Sequence, residues 1–242
     1  MAPVTVVTGG SKGIGAATVR RLAAAGHDLV IGYRTDVDAA GAVRDDVAAL
    51  GRRAVTVAVD TTDPDSASAL FDTAADCGPV TGLVNNAGVT SRIGPFVELT
   101  VEDLRRVVDV NLVGYVLCAQ QAARRMTSGG VIVNVSSAAA TLGSPGEYVH
   151  YAAVKAATDT LTVGLAKELG PRGIRVNGVA PGTVLTGIHA LSGEPGRPAR
   201  VAPTVPLRRA GRPEEIAGAV GWLLSAEASY TTGTVLRVAG GL

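Results

Sequence analysis

The segment from Val4 to Gly15, VTVVTGGSKGIG, gives the clearest indication of the fold. Its first four residues are apolar or β-branched, and they predict a strand that is buried on both faces, as in parallel sheets. The glycines that follow allow a tight turn, and the Ala-rich segment from Ile14 to Ala25 predicts a helix. A strand, a glycine-rich turn and a helix in this order present free backbone N–H groups and the positive end of the helix dipole. This arrangement is typical of a phosphate-binding turn.

The same alternation continues to the end of the chain. It predicts one doubly wound α/β domain over residues 1–242, with about seven parallel strands and helices on both faces. The predicted strands are Val4–Val7, Asp28–Tyr33, Ala54–Val59, Val80–Val84, Val131–Val135, Ile174–Val179 and Thr234–Val238. The predicted helices are Ile14–Ala25, Val37–Leu50, Asp65–Ala75, Val101–Met126, Tyr148–Leu169 and Pro213–Leu224.

The composition excludes several classes of protein. The 22 basic and 21 acidic residues leave a formal net charge of +1, which argues against a nucleic-acid partner. No stretch is apolar enough to cross a bilayer and no charged segment of a signal peptide begins the chain, so we expect a soluble cytoplasmic protein. Cys77 and Cys118 are expected to be free thiols, and the scattered His and Cys residues predict no metal site.

One long irregular segment follows the sixth predicted strand. It runs from Gly182 to Arg212 and contains four prolines. A long loop inside a compact domain is usually functional or disordered, and this one leaves the carboxyl edge of the sheet, where ligands bind in open α/β sheets. We therefore predict a substrate lid at about residues 183–212, the alternative being a plain surface loop.

Tyr151 and Lys155 are four residues apart on a predicted helix, so they share one face, one turn apart. A neighbouring ammonium group favours the phenolate and is expected to lower the pKa of the tyrosine, which suits acid–base chemistry. The alternative is an amphipathic helix that carries both side chains on its solvent face.

Five motifs in order resemble the short-chain dehydrogenase/reductase family, in its compact single-domain branch. They are the turn TGGSKGIG at residues 8–15, NNAG at 85–88, Asn111, a Ser–Tyr–Lys set, and Pro181-Gly182. The resemblance covers the chain from Val4 to Gly241 and implies a Rossmann fold. It also implies hydride transfer between a nicotinamide cofactor and a carbonyl or secondary alcohol.

The resemblance assigns catalytic roles to Asn111, Ser137, Tyr151 and Lys155. Ser137 orients the substrate oxygen, Tyr151 exchanges its proton, Lys155 lowers the tyrosine pKa and holds the ribose, and Asn111 completes a relay through water. Ser137 lies 151 − 137 = 14 residues before the tyrosine, one more than is usual in the family. We interpret this as a one-residue longer loop between Thr141 and His150, with Ser136 as the weaker candidate.

The end of the second strand bears on the cofactor. An NAD site normally carries an acidic residue there, whereas this chain has Tyr33 followed by Arg34. Arg34 and Lys12 could clamp a 2′-phosphate, which favours NADP, with NAD as the alternative. Asp36 argues for NAD but looks more like a helix cap. The resemblance assigns the cofactor to Gly9, Ser11, Lys12, Gly13, Ile14, Gly15, Arg34, Asp60, Asn86, Ala87, Gly88, Tyr151, Lys155, Pro181, Gly182 and Thr186.

Other functions stay open at this point. They are an NAD-dependent sugar or alcohol dehydrogenase of the same family, a non-catalytic dinucleotide-binding regulator, and an epimerase or dehydratase of the family's longer branch. The expected partners are a small carbonyl or alcohol substrate and further copies of the chain, in a tetramer or dimer formed through the helices Val101–Met126 and Tyr148–Leu169. Arginines of the predicted lid could meet an anionic substrate or be solvated; they are Arg197, Arg200, Arg208 and Arg209.

Overall fold

A computed structural model describes residues 2–127 and 129–242. Seven parallel strands form one sheet in the order β3-β2-β1-β4-β5-β6-β7. The predicted doubly wound sheet is confirmed. The strands are β1 (Val4–Thr8), β2 (Asp28–Tyr33), β3 (Ala54–Ala58), β4 (Val80–Asn85), β5 (Val131–Val135), β6 (Arg175–Pro181) and β7 (Val235–Val238).

Helices cover both faces of the sheet. The helices are α1 (Gly13–Ala24), α2 (Val37–Ala49), α3 (Pro64–Cys77), α4 (Val101–Val108), α5 (Gly114–Arg125), α6 (Ala139–Leu142), α7 (Val149–Leu169), α8 (Ile188–Leu191), α9 (Arg197–Val201) and α10 (Pro213–Leu224). Neighbouring strand residues point to opposite faces, so Val6 belongs to a core cluster with residues of α3, α5 and α7, while Val7 belongs to one with residues of α1, α2 and α10. Each apolar strand is therefore covered on both sides.

The strand order reverses between β1 and β4, because β2 and β3 lie on one side of β1 and β5 to β7 lie beyond β4. In open α/β sheets this switch point leaves a crevice at the carboxyl ends of the strands, where ligands bind. The sequence of β1 therefore places the glycine-rich turn directly at the crevice.

The predicted helix Val101–Met126 is interrupted, so that prediction was wrong in its middle. A π-helical turn at Asp109–Val113 separates α4 from α5. The Asn111 amide nitrogen donates to the Val107 carbonyl oxygen, one turn back, at 2.9 Å, and to Val89 O at 2.9 Å. A side chain that bonds to a carbonyl of its own helix competes with the backbone ladder, which favours such a local distortion.

Short helices also lie where no helix was predicted. The helix α6 follows β5, and α8 and α9 lie within residues 183–212. Each has at most five residues. Such short helices carry too little periodicity to be recognised from sequence.

Candidate active site

A cavity of about 410 Å³ opens at the carboxyl edge of the sheet, between the ends of β1, β4, β5 and β6. We call it the edge cavity. Most of the residues expected to bind cofactor or to catalyse line it. They are Gly9, Lys12, Gly13, Ile14, Asn86, Ala87, Gly88, Ser137, Tyr151, Lys155, Pro181, Gly182 and Thr186, together with Ser136. Five expected site residues do not line it, namely Ser11, Gly15, Arg34, Asp60 and Asn111.

The glycine-rich turn is built for a phosphate group. Gly9 and Gly13 have φ values of +63° and +52°, in the left-handed region that favours glycine. The helix α1 begins at Gly13, and its N-cap residue Lys12 makes no side-chain capping hydrogen bond. The first N–H groups of a helix have no partner within the helix, and the dipole there favours an anion. The turn therefore fits the pyrophosphate of a dinucleotide.

The NNAG motif ties β4 to β1 beneath this turn. The Asn86 amide nitrogen donates to the carbonyl oxygens of Thr8 and Gly9, at 3.0 Å each. The Thr8 hydroxyl accepts from the backbone N–H groups of Asn86 and Ala87. A β-carbon on Gly88 would lie 2.8 Å from Asn111 Oδ1, so a larger residue there would collide with the π-helical turn. The motif thus holds the end of β4 against the glycine-rich turn at the base of the crevice.

The two basic residues expected to clamp a 2′-phosphate are paired with acids. Lys12 forms an ion pair with Asp36, and Arg34 Nη2 lies 2.8 Å from Asp60 Oδ2. Asp36 also caps α2, since its carboxylate accepts from Ala39 N at 2.9 Å, as expected. Hydrogen bonds from Thr62 and the charge of Arg34 lower the pKa of Asp60. Both cations are therefore at this edge, each facing a carboxylate.

Tyr151 and Lys155 lie one turn apart on α7, in the wall of the edge cavity. Lys155 is 2% exposed, and its Nζ donates to Val135 O at 2.8 Å and to the Tyr115 hydroxyl at 3.3 Å. Burial lowers the pKa of Lys155 to about 7. The alternative, that both side chains lie on the solvent face of an amphipathic helix, is therefore wrong.

The pKa of Tyr151 differs from the sequence-based expectation. Burial raises it well above its ordinary value, and the hydrogen bond with the Ser137 side chain lowers it only in part. Lys155 Nζ lies 5.7 Å from the centre of the tyrosine ring. The net direction is opposite to the expected one, because desolvation of the phenolate outweighs the favourable neighbours.

Two serines follow β5 and both line the edge cavity. The Ser137 hydroxyl accepts from Ala139 N at 3.1 Å and contacts Tyr151. The Ser136 hydroxyl donates to the carbonyl oxygen of Lys155 at 3.3 Å, on the side of α7 that carries Asp159, whose pKa it lowers. Of the two hydroxyls, Ser137 is thus the one beside the tyrosine.

Asn111 is fully buried and does not line the edge cavity. Its side chain bonds to Val89 and Val107, and its backbone carbonyl accepts from the Thr158 hydroxyl at 3.3 Å. Asn111 Oδ1 has no hydrogen-bond partner among the described residues. Its direct role here is to shape the π-helical turn.

Residues 183–212 close one side of the edge cavity, through Val184, Ile188, Leu191 and Arg197 among others. Arg197 is only 9% exposed, and its guanidinium donates to Glu147 Oε2 at 2.5 Å and lies 5.2 Å from the centre of the Tyr148 ring. This arginine was expected either to bind an anionic substrate or to be solvated. It does neither, because it is buried and its charge is neutralised by Glu147. Sequence alone did not single out Glu147.

The other arginines of this segment are engaged as well. Arg200 bonds to both Glu147 and Glu194, and Arg209 bonds to Glu215. Arg208 donates to Pro203 O at 2.6 Å. The pairs between α9 and Glu147 hold this segment against the loop that precedes α7.

No group of three or more His, Cys, Asp or Glu side chains with the geometry of a metal site occurs among the described residues. In the same part of the chain, no helix is both long and apolar enough to cross a membrane.

Comparison with known proteins extends over the whole chain. A family model described as enoyl-(acyl carrier protein) reductase matches residues 9–242. The uncharacterized oxidoreductase YgfF of Escherichia coli K12 is 46% identical, over 98% of this chain and 99% of that protein. Two solved structures superpose closely, each 37% identical and covering 99% of this chain and 97% of the other. They are a short-chain dehydrogenase/reductase from Serratia marcescens (TM-score 0.93) and a short-chain dehydrogenase from Burkholderia cenocepacia in complex with NADP (TM-score 0.91).

The fold and these matches define an oxidoreductase built on a single doubly wound α/β domain. The chain belongs to the short-chain dehydrogenase/reductase family, which acts on CH–OH groups with NAD or NADP. The resemblance of the five motifs is therefore confirmed.

Proposed function

We propose that this protein is an NADP-dependent oxidoreductase that interconverts a ketone or 3-oxo compound and a secondary alcohol. One observation carries the proposal: Tyr151, Lys155 and Ser137 face the same cavity as the phosphate-binding turn. A non-catalytic regulator would have no need of a buried lysine one turn from a half-buried tyrosine, since burying an amine is costly.

The mechanism assigns one role to each side chain. When bound, the nicotinamide ring supplies or accepts the hydride. The Ser137 hydroxyl donates to the substrate carbonyl oxygen and polarises it. Tyr151 gives the proton to that oxygen in reduction and takes it in oxidation. Lys155 holds the ribose and supports the tyrosine through its positive charge, while Asn111 shapes the adjacent helix.

NADP is favoured over NAD by the charges at the end of β2. Tyr33 occupies the position of the usual acid, and Arg34 is 63% exposed in its side chain, so it can reach a ligand. Exposed ion pairs contribute about 0–1 kcal/mol, so Arg34 can exchange Asp60 for a 2′-phosphate at little cost. The NADP bound to the Burkholderia relative agrees with this choice. Asp60, as the acid that contacts adenine, and Ser11, in the glycine-rich turn, keep their predicted cofactor-binding roles as proposals.

Two further parts of the proposal concern the surroundings of the site. Residues 183–212 act as the substrate lid, since their apolar side chains Val184, Ile188 and Leu191 line the edge cavity. The protein forms a dimer or tetramer through α4, α5 and α7; Val101 on α4 and Val163 on α7 are exposed apolar residues that such an interface would cover.

The proposed function is tested by following the absorbance of NADPH and NADH separately against a panel of ketones, 3-oxoacyl thioesters and sugars. We expect turnover with NADPH. Turnover with NADH alone would overturn the choice of cofactor. Failure to bind either dinucleotide would overturn the proposed function.

Arg34→Ala should weaken NADPH selectively. Loss of a hydrogen bond to a charged group costs about 1.5–3 kcal/mol, so we expect the KM for NADPH to rise roughly 10- to 100-fold. The KM for NADH should stay within about twofold, because NADH has no 2′-phosphate. An equal rise in KM for both cofactors would show that Arg34 stabilises the fold and does not bind the 2′-phosphate.

The rate of carbonyl reduction should fall above about pH 7, the pKa of Lys155. Lys155 is charged below this pH and neutral above it, whereas Tyr151 stays protonated because burial raises its pKa. A profile of kcat/KM from about pH 5.5 to about pH 9 measures the pKa in the free enzyme. A rate that rises across this range would contradict the need for a charged lysine.

A further inference from the structure

Tyr115 lies beside the catalytic centre without lining the edge cavity. It is on α5, one turn after Asn111, and is only 1% exposed. Its hydroxyl donates to Val135 O at 3.0 Å. A buried tyrosine hydroxyl usually finds a hydrogen-bond partner, and here that partner is the last residue of β5, directly before the two serines.

The hydroxyl of Tyr115 also meets the ammonium group of Lys155. Lys155 Nζ donates to Tyr115 Oη at 3.3 Å and to Val135 O at 2.8 Å, so the three groups close a small network. The ammonium also lies 4.7 Å from the centre of the Tyr115 ring, within the range of a cation–π contact. Two helices, α5 and α7, and the strand β5 therefore meet at one lysine nitrogen.

The network does not use all the hydrogen-bond donors of Lys155. An ammonium group has three N–H donors, and two of them are directed to Val135 O and Tyr115 Oη. One donor is left for a ribose hydroxyl or for the tyrosine side of the site. Tyr115 thus limits the positions that Lys155 can take without replacing the contacts that the proposed mechanism requires.

We propose that Tyr115 is a positioning residue that holds Lys155 in place and keeps it charged. The inference rests on the proposed role of Lys155. Tyr115 acts through its hydroxyl oxygen, which accepts from the ammonium, and through the face of its ring. Both contacts favour the charged form of the lysine over the neutral form, because a neutral amine loses the electrostatic attraction to each of them.

The other polar groups near Lys155 do not replace Tyr115. On α7, Tyr151 stays neutral because burial raises its pKa, and the half-buried Asp159 raises the pKa of Lys155. From α5, the buried thiol of Cys118 is also neutral, since burial raises its pKa to about 12. The end of β5 adds the hydroxyls of Ser136 and Ser137. The Arg237 guanidinium bonds to Leu242 O and to the Thr141 hydroxyl, and its charge lowers the pKa of Asp159.

The test measures NADPH binding by fluorescence as a function of pH, so it needs no knowledge of the substrate. In the wild-type protein, NADPH affinity should fall as the pH rises through about 7, where Lys155 loses its charge. Tyr115→Phe removes the acceptor oxygen and keeps the ring. We expect the midpoint of this fall to move down by about one pH unit, and affinity at about pH 8 to drop severalfold.

Three comparisons make the result decisive. Tyr230→Phe, at a fully exposed tyrosine, should leave the midpoint where it is. Tyr115→Met removes both the oxygen and the ring and should move the midpoint at least as far as Tyr115→Phe. Lys155→Met should remove the pH dependence around 7. Circular dichroism and the Tm report whether each variant is folded.

The outcomes separate the two proposals. A midpoint that stays unchanged in folded Tyr115→Phe and Tyr115→Met overturns the positioning role, because a purely structural residue would change the Tm and not the midpoint. A pH dependence that persists in Lys155→Met overturns the proposed role of Lys155 in cofactor binding, and the inference falls with it.

Discussion

Tyr151→Phe is expected to lower kcat by about 10²- to 10⁴-fold, the usual contribution of a general acid or base, and to leave cofactor binding intact. Only the hydroxyl is removed. The ring keeps its edge-on contact with Tyr148, whose centre is 5.3 Å away, and its place near the Lys155 ammonium. The fold and the phosphate-binding turn are therefore unaffected, and the loss should appear in the chemical step alone.

The matched control is Tyr148→Phe. Tyr148 also lines the edge cavity and is the more buried of the two tyrosines, but it stacks under Arg197 and has no lysine one turn away. Single-turnover rates, dinucleotide affinity by fluorescence and the Tm should be measured for both variants. We expect the Tyr148 variant to keep kcat within a few fold. If Tyr148→Phe lost turnover and Tyr151→Phe kept it, the assignment of the general acid would be wrong.

The fold was predictable because it depends on local patterns. Each strand is a short β-branched run, and the residues of β1 alternate between two apolar cores, as Val6 and Val7 do. Turns and caps are also local: Asp36 caps α2 through Ala39, only three residues away. These features require only the period of a strand or helix and the chemistry of adjacent residues.

The parts of the site that sequence reasoning missed depend on contacts between distant residues. Glu147 and Arg197 are 50 residues apart, and Tyr115 and Lys155 are 40 apart. A buried tyrosine in an apolar helix signals that its hydroxyl must find a partner, but not which one. The pairing of Lys12 with Asp36 and of Arg34 with Asp60 depends likewise on where the loops come together.

The electrostatics of the centre show why residue spacing was insufficient. The four-residue spacing correctly placed Tyr151 and Lys155 on one face of α7, but the sign of the tyrosine's pKa shift depends on burial. Burial disfavours the charged form of both groups, which raises the pKa of Tyr151 and lowers that of Lys155. For the lysine, the charge of Asp159 opposes this effect.

Gly15→Ala should reduce both stability and cofactor affinity, although alanine is the better helix former. Gly15 is in the first turn of α1, and a β-carbon there would lie 2.1 Å from Gly9 O and 2.6 Å from Asn86 Nδ2. The turn has to move, because one of these atoms is backbone. We expect a loss of about 1–3 kcal/mol in the free energy of unfolding, as in other overpacked sites. Dinucleotide affinity should fall roughly tenfold or more, since displaced N–H groups lose charge-assisted hydrogen bonds.

Gly41→Ala provides the matched control for this prediction. Gly41 lies within α2, and a β-carbon there would meet no atom within 4 Å. Helix propensity then acts alone, so the same substitution should stabilise the protein by about 0.5–1 kcal/mol and leave cofactor affinity unchanged. Thermal unfolding should shift the Tm in opposite directions for the two variants, by about 2–4 °C for each kcal/mol. A Gly15→Ala protein that bound NADPH as the wild type does would show that the close approach of α1 to Gly9 is not needed for the phosphate-binding turn.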